Sequence, residues 1–572
     1  MVGPTAAKVY TESRPRRHGW KAQGTALGAT VLTMSLGLTA CGSSSTKSSS
    51  SATTANASSS SATTTKTSSA TGTSIVVATN FLPSSVDPDP KNPADAEFAS
   101  VTSTNLAGTL FSYLGDSADP ATTASILPPT PELATSATTS SDGLSVTVQL
   151  RANVMSQYDN PLTASDVVWT MQRIVNTNLY GDDILKDANI SQTDPATATG
   201  PLTVVFHLTK PTSLFDRALA LPFTDILDKK AVLANAGAGH PWGRTWLTTH
   251  SASFGPYEVA TTQFPSKIVY KANPYYWRGK PSITKATFIV ESNDSTRLAT
   301  VLSGQADYAV GLNTSDLAKV KSTPSVVAYL QPNAILLYYL VFNLKNSQVQ
   351  SVDLRRAVSM AIDRQTLVST AFTGAANAVT GCLPSNLYPG EPQSSLDNPA
   401  AGNPSAAHAL LSSVPGPHNV TIGYLSSTSD QAMGEIIQQD LAKAGITATL
   451  KPYSSYSVFA GDQAKSKFGI GIDGFGPFIP TAAYVFNNLL VSTSGSNQGF
   501  YSNPAVDAAA ATAMSTSGAT RSAALATACN AMLKDVPIAM LGSVATVSAY
   551  STKITKVSST GQIPLLYNMR MK

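Results

Sequence analysis

Few residues in this chain are of types, and at spacings, that carry out chemistry. No Gly-x-Ser-x-Gly run places a serine on a strained turn, and no His-Glu-x-x-His puts two imidazoles on one helix face. The six histidines (18, 207, 240, 250, 408 and 418) have no metal-ligand spacing, and no Cys-x-x-Cys occurs. One Gly-x-Gly-x-x-Gly is present, at Gly469-Ile470-Gly471-Ile472-Asp473-Gly474. A dinucleotide site needs a helix directly after such a run, with its N-terminus turned to a pyrophosphate. Here Phe475-Gly476-Pro477-Phe478-Ile479-Pro480 follows, and two prolines forbid that helix. What remains is a glycine-rich strand that another backbone can approach closely, with Asp473 as its one charge. A hydrolase would need a nucleophile beside a base, and no motif proposes the pair. The chain is therefore expected to be no enzyme, and to hold neither cofactor nor metal.

A second stretch bears on processing. Leu38-Thr39-Ala40-Cys41-Gly42 ends an apolar run that begins at Leu27 and follows the basic residues Arg14, Arg16, Arg17 and Lys21. A basic segment, then an apolar one, then small residues before a cysteine describe a cleaved signal. The pattern resembles the lipobox of bacterial lipoproteins, which implies that Cys41 becomes the lipidated N-terminus. The alternatives are an ordinary signal peptide with Cys41 incidental, or a retained membrane helix. The segment Gly24 to Ala40 is shorter than the ~20 residues a span needs, and no comparable run follows. Arg16-Arg17 is followed by His18-Gly19-Trp20, a poor twin-arginine match.

The elements that position these residues lie downstream. Of 572 residues, 42% are hydrophobic and only 13% charged, enough apolar surface for a sizeable core. The net charge of +4 owes much to the four leader cations, so it is no argument for nucleic acid. Gly42 to Ser74 is almost wholly Ser, Thr and Ala and has nothing to bury, so a disordered linker is expected. The folded body starts at Ile75-Val76-Val77-Ala78, a short strand. Leu144 to Leu150 alternates as a half-buried strand. Thr163 with Asp166 predicts a capping box ahead of a helix with Val167, Met171 and Ile174 on one face. Leu336 to Leu344 is an apolar strand. Ser351 opens a helix with Leu354, Val358 and Ile362 on one face. Val420 to Tyr424, the helix carrying Met433, Ile437 and Leu441, its stop at Gly445, and the strand Ile446 to Leu450 read as one parallel strand–helix–strand unit.

An ordered series of blocks resembles the extracytoplasmic solute-binding proteins of peptide ABC importers, the oligopeptide- and dipeptide-binding group known as family 5. They are Pro131-Glu132-Leu133-Ala134 with Asp142-Gly143 and Leu150-Arg151; Pro161-Leu162-Thr163-Ala164-Ser165-Asp166-Val167; Gly255-Pro256-Tyr257; Asn273-Pro274-Tyr275-Tyr276-Trp277; Gly304-Gln305-Ala306-Asp307; Val352-Asp353-Leu354-Arg355-Arg356-Ala357; Ala361-Ile362-Asp363-Arg364; and Tyr501-Ser502-Asn503-Pro504. Most are structural: Asn273 to Trp277 reads as a turn with packed aromatics, Asp363-Arg364 as a solvated helix end.

The resemblance implies an α/β, two-lobed periplasmic-binding-protein-like fold, class II, of the large peptide-binding type with an extra subdomain and a hinge between the lobes. It implies residues 1–41 as lipoprotein signal peptide, 42–74 as linker, 75–107 with 222–336 and 541–572 as one lobe, 108–221 as the extra subdomain, and 337–540 as the other lobe. The crossings are expected near Tyr338 to Asn343 and Met540 to Ser543. Phe468 to Pro480 falls where the family's ligand-lining strand lies, which makes Asp473, Gly474, Phe475, Gly476 and Phe478 the candidate ligand-binding residues. Members carry Trp at the start of this segment and, before a proline, an Asp for the peptide's ammonium. Here Asp473 stands near the Trp position and Gly476 near the Asp position, so Asp473 is the candidate ammonium partner if the register shifts by a few residues.

The implied partners are a short peptide or similar small solute, the permease and ATPase subunits of an ABC transporter, and the membrane through lipid on Cys41. No nucleic acid is expected, and the chain is expected to be a monomer on the outer face of the cytoplasmic membrane. A signalling receptor, or a binder of an oligosaccharide or metal chelate, remains the alternative. Whether Cys382 and Cys529 pair stays open.

Overall fold

A computed structural model describes residues 73–90, 103–113, 128–331, 335–388, 399–559 and 564–572. Cys41, the basic leader and all but the last two residues of the Ser/Thr tract lie outside them.

In chain order the strands are β1 (Thr73–Thr79), the short pair β2 (Phe111–Ser112) and β3 (Thr130–Pro131), then β4 (Ala134–Thr139), β5 (Ser145–Leu150), β6 (Ala196–Gly200) and β7 (Thr203–His207). Next come β8 (Tyr257–Gln263), β9 (Lys267–Ala272), β10 (Ile283–Val290), β11 (Tyr308–Leu312) and β12 (Val326–Leu330). A third group is β13 (Leu336–Phe342), β14 (Ala376–Ala378), β15 (Asn419–Leu425), β16 (Thr447–Tyr453), β17 (Ile470–Phe475) and β18 (Ile538–Val544), before the chain returns as β19 (Val547–Ser551). They assemble into a seven-stranded sheet, β12-β19-β11-β1-β10-β9-β8, a six-stranded sheet, β14-β18-β13-β17-β15-β16, and a four-stranded sheet, β4-β5-β7-β6. The first strand begins at Thr73, slightly ahead of the expected Ile75.

The chain passes between the two large sheets twice, once between Leu330 and Leu336 and once between Val544 and Val547. The Gln331 N–H donates to the Thr546 carbonyl at 3.3 Å, so the two passages are hydrogen-bonded neighbours. The crossings expected at Tyr338 to Asn343 and Met540 to Ser543 lie instead inside β13 and β18. An apolar strand buried on both faces carries no signal of where a hinge begins.

Local chemistry accounts for the elements. Helix α1 (Ala164–Thr177) starts at Thr163, whose N–H and Oγ1 both donate to Asp166 Oδ2, at 2.9 and 2.6 Å. Its Val167, Met171 and Ile174 are buried against the four-stranded sheet's core. Helix α2 (Tyr180–Asp187) follows directly. Parallel strands β15 and β16 flank α3 (Thr428–Lys443), and Gly445 adopts φ +81°, a conformation a side chain would strain. Val146 and Val148 of β5 and Phe206 of β7 belong to one contiguous apolar cluster with Leu337, Tyr339, Val341 and Phe475 of the six-stranded sheet. The opposite face of that sheet, Leu340, Phe342, Ile470 and Ile472, packs in a separate core with α3. The cysteines do pair: Cys382 and Cys529 form a disulfide with Cα atoms 5.5 Å apart, closing a loop 147 residues long.

Two blocks depart from their sequence reading. Asp363 does cap the helix Arg364–Phe372, accepting from Thr366 N at 2.9 Å, but Arg364 is only 1% exposed. Its guanidinium donates to Met540 O at 2.7 Å, Ser359 O at 2.8 Å and Ser359 Oγ at 2.9 Å. A planar fork of donors can be buried when carbonyls meet it, and burial lowers its pKa to about 10. The turn at Asn273 to Trp277 is also more than packed aromatics. Trp277 lies between two guanidinium groups, Arg151 at 4.0 Å and Arg278 at 4.8 Å from its ring centroid. Arg278 in turn pairs with Glu132.

Arg364→Met should leave several buried carbonyls without donors and destabilise the protein by about 3 kcal/mol or more. Chemical denaturation monitored by circular dichroism checks this, and Arg364→Lys is expected to recover only part of the loss.

A second expectation concerns pH. Asp89 is fully buried, accepting from Gly181 N at 2.8 Å and Thr177 Oγ1 at 2.8 Å. Burial, then the neighbouring Asp87 carboxylate, raise its pKa to about 6, while Arg173 pulls the other way. The folded chain therefore keeps a proton that the unfolded chain, near 3.8, has already released. The stability this contributes is full below about pH 4 and is lost as pH rises through about 6, by about 3 kcal/mol in all. Asp89→Asn should remove that slope. Its melting temperature relative to the unsubstituted protein should rise between pH 4.5 and 7, as differential scanning fluorimetry at matched ionic strength would show.

Candidate functional site

The candidate residues lie on β17 and the turn after it. β17 is antiparallel to β13 along its whole length, with Tyr339 opposite Asp473, Tyr338 opposite Gly474 and Leu337 opposite Phe475. On its other side it pairs with β15 only at Ile470 and Gly471. Side chains alternate, so Gly471, Asp473 and Phe475 share one face with Val341, Tyr339 and Leu337. This is the face that meets the core shared with the four-stranded sheet.

Burial sorts the five candidates. Asp473 is 1% exposed and Phe475 is 3% exposed. Gly474 is also buried, while Gly476 and Phe478 are half-buried. The Asp473 carboxylate turns back on its own strand, its Oδ1 accepting from Gly474 N at 2.8 Å. The sequence reading has these glycines leave backbone accessible; at Gly471 the space is taken by a neighbouring element. A Cβ on Gly471 would lie 3.0 Å from Val341 Cγ1 and 3.1 Å from Phe459 Cζ, so this glycine admits α4 (Tyr456–Ala464) against the strand. The Gly-x-Gly-x-x-Gly run ends inside a strand, and the next helix, Ala482–Leu489, starts only after Pro477 to Thr481. No helix N-terminus faces the run.

Sequence reasoning missed the side chains around the strand. Tyr339, opposite Asp473, is buried, and burial, then the nearby Tyr456 hydroxyl, hold its own hydroxyl far above the usual tyrosine range. The Tyr456 hydroxyl accepts from Gln498 Nε2. Gln463 is 1% exposed, with its amide packed near Gly471. A buried glutamine on a helix otherwise showing aromatics was the one available signal. Phe478 finds partners that are remote in sequence: its ring is 5.4 Å from Tyr180 and 5.6 Å from Phe223, edge-to-face in both cases. Tyr180 opens α2 and Phe223 lies in the turn Pro222–Thr224.

Among the described residues no group of His, Cys, Asp or Glu is arranged to hold a metal, and no helix is long and apolar enough to cross a membrane. The arrangement offers a buried strand, one carboxylate and a surround of tyrosines and glutamines. That equipment binds by hydrogen bonds and apolar contact.

Comparison with known proteins places the chain by family and fold. Residues 128–497 match the family model described as bacterial extracellular solute-binding proteins, family 5 Middle. The glutathione-binding protein GsiB of Salmonella choleraesuis (strain SC-B67) is 26% identical over 396 residues, covering 67% of this chain and 74% of that relative. The solved structure of HbpA2 from Haemophilus parasuis superposes with a TM-score of 0.73 at 22% identity, over 87% of this chain and 100% of that one. MppA, a periplasmic murein tripeptide binding protein solved in its unliganded open form, gives a TM-score of 0.71 at 20% identity, over 88% and 98%. The fold is thus the two-lobed α/β architecture of these binding proteins.

Proposed function

The chain belongs to the family 5 bacterial extracellular solute-binding proteins, and from that premise we propose that it captures short peptides, or solutes built like them, between its lobes. The family serves ABC importers and binds peptides or related solutes; the finer reading rests on β17. A transport receptor that accepts many side chains must draw affinity from groups every peptide shares. Strand addition supplies this, with main-chain hydrogen bonds laid along a strand. The observation that carries the proposal is the placing of β17: it pairs with β13 along its length and with β15 at Ile470 and Gly471, and it brings Asp473 and Phe475 onto the face turned to the four-stranded sheet. Relatives support the solute class: MppA is named for a murein tripeptide, and GsiB for glutathione, itself a tripeptide.

In this reading residues 75–107, 222–336 and 541–572 form one lobe, 108–221 the extra subdomain and 337–540 the other lobe. The lobes turn about the paired passages at Gln331 and Thr546. Because Asp473 and Phe475 are buried, the ligand enters only when the lobes part. Gly474 and Gly476 then let its backbone come close. Asp473 receives its ammonium, while Phe475 and Phe478 line side-chain pockets. The loaded monomer hands its solute to a permease and ATPase pair, and lipid on Cys41 keeps it on the outer face of the cytoplasmic membrane.

Isothermal titration with trialanine and N-acetyl-trialanine tests the site. An ammonium buried against its counter-charge loses heavily when that charge goes, so Asp473→Asn should weaken trialanine by about a hundredfold. The acetylated peptide should change by no more than a few fold. Equal effects on both peptides would remove Asp473 from the role, and no binding of either would sink the peptide reading. For the anchor, Cys41→Ala should move the protein from the membrane fraction to the soluble one, or leave it unprocessed. A processed variant still retained on membranes would refute lipidation at Cys41.

A further inference from the structure

The three rings around Phe478 form a closed set. Tyr180 and Phe223 stand 5.1 Å apart at 62°, Tyr180 and Phe478 5.4 Å at 67°, and Phe223 and Phe478 5.6 Å at 79°. Every pair has the edge-to-face geometry in which a ring's positive rim meets its neighbour's negative face. The three come from separate parts of the chain. Tyr180 follows the helix packed on the four-stranded sheet, Phe223 lies on the way back to the seven-stranded sheet, and Phe478 is the turn leaving β17 of the six-stranded sheet. Phe223 is fully buried, whereas Tyr180 and Phe478 are half-buried, so the cluster lies at the border between interior and solvent.

A second contact joins the same bodies. Ser213, just before the short helix Phe215–Ala218, donates its N–H to Met514 O at 2.8 Å. Its hydroxyl donates to the same carbonyl at 2.9 Å. Met514 lies in the last turn of α5 (Pro504–Ser515), where carbonyls have no partner within the helix. Met514 O therefore finds its donors across the boundary between the four-stranded sheet's segment and the six-stranded sheet's segment.

We propose that Phe478, seated against Tyr180 and Phe223 and seconded by Ser213 on the end of α5, is a clasp that holds the lobes closed without ligand. Its basis is physical. Opening by rotation about the Gln331–Thr546 passages carries Phe478 away from Tyr180 and Phe223, exposing three ring surfaces and unpairing Met514 O. The buried state of Asp473 and Phe475 is what such a closed chain requires. The fold does visit an open arrangement: MppA is solved in one, unliganded. Here the rings shift the balance. The clasp acts on the ligand-free chain, so it goes beyond the peptide reading and stands apart from it, sharing only the lobe motion.

Small-angle X-ray scattering on full-length mature protein, shown by native mass spectrometry to carry no ligand, tests the clasp. The unsubstituted chain should scatter as the closed shape. Phe478→Ala should raise the open-to-closed ratio by about tenfold or more, the worth of two ring pairs, and so increase the radius of gyration. Tyr180→Ala attacks the clasp from the other side and should act alike, so the test survives if one variant fails to fold. Tyr180→Phe keeps the ring and should stay closed. An unsubstituted chain already open, alanine variants whose curves overlay it, or a Tyr180→Phe variant as open as Tyr180→Ala would each overturn the proposal.

Discussion

A strand that is to receive another backbone must leave one row of peptide groups without a strand partner, yet a buried peptide group without a partner is costly. That constraint shapes this molecule around β17. The strand is held to β13 along its full length and to β15 only at Ile470 and Gly471. Its two faces enter two different cores, Ile470 and Ile472 against α3 and Phe475 against the core shared with the four-stranded sheet. The strand is thereby fixed on both faces and along its β13 side.

Such precision needs a stiff support, and buried arginines and an asparagine provide it from behind. Arg355 donates to Val536 O at 2.9 Å and Val349 O at 2.9 Å, and Arg364 to Met540 O at 2.7 Å. Both therefore grip β18, the strand on the far side of β13 from β17, near its start and at its middle. Asn343, at the end of β13, donates to Gln463 O at 2.6 Å and accepts from Ser466 Oγ at 3.3 Å. It links β13 to the turn that leads into β17. These groups meet backbone carbonyls and amides, so a motif that looks chemical is a frame. The disulfide adds to it, since closing a 147-residue loop restricts the unfolded chain by about 5 kcal/mol in the loop-entropy account.

Readability from sequence followed the range of the interaction. Thr163 with Asp166, Gly445, and the alternation along β5 act within a few residues, and each was plain. The long strand at β13 was plain too, but not the hinge, because its apolar residues on both faces are identical in kind to those of any buried strand. Arg364 was misread as solvated because its three acceptors, at 359 and 540, are invisible in the local pattern. The candidate strand was legible as a glycine-rich segment. The reason for Gly471 was not, for it answers to Phe459 on another element. Phe478 was picked out as a pocket residue on its type, whereas its partners 180 and 223 come from folding the chain back on itself.

The position of β17 relative to the passages between sheets then couples binding to motion. Phe475, the last residue of β17, is opposite Leu337, at the start of β13 and next to the first passage. The second passage is hydrogen-bonded to the first through Gln331 and Thr546. Two hydrogen-bonded passages resist sliding, since a slip would break their hydrogen bond and the strand registers on both sides, whereas rotation about them keeps both. The C-terminal end of β17 therefore lies beside the first passage, and the turn carrying Gly476 and Phe478 leaves directly from it. A ligand backbone laid along Ile472 to Phe475 would sit where a modest rotation changes the fit at once. Contacts made just past that strand, by Phe478, report the same rotation. Under the two proposals, the residues that meet the ligand and the ring that clasps the lobes are neighbours in one short stretch of chain, so affinity and the open–closed balance are linked through the lobe motion.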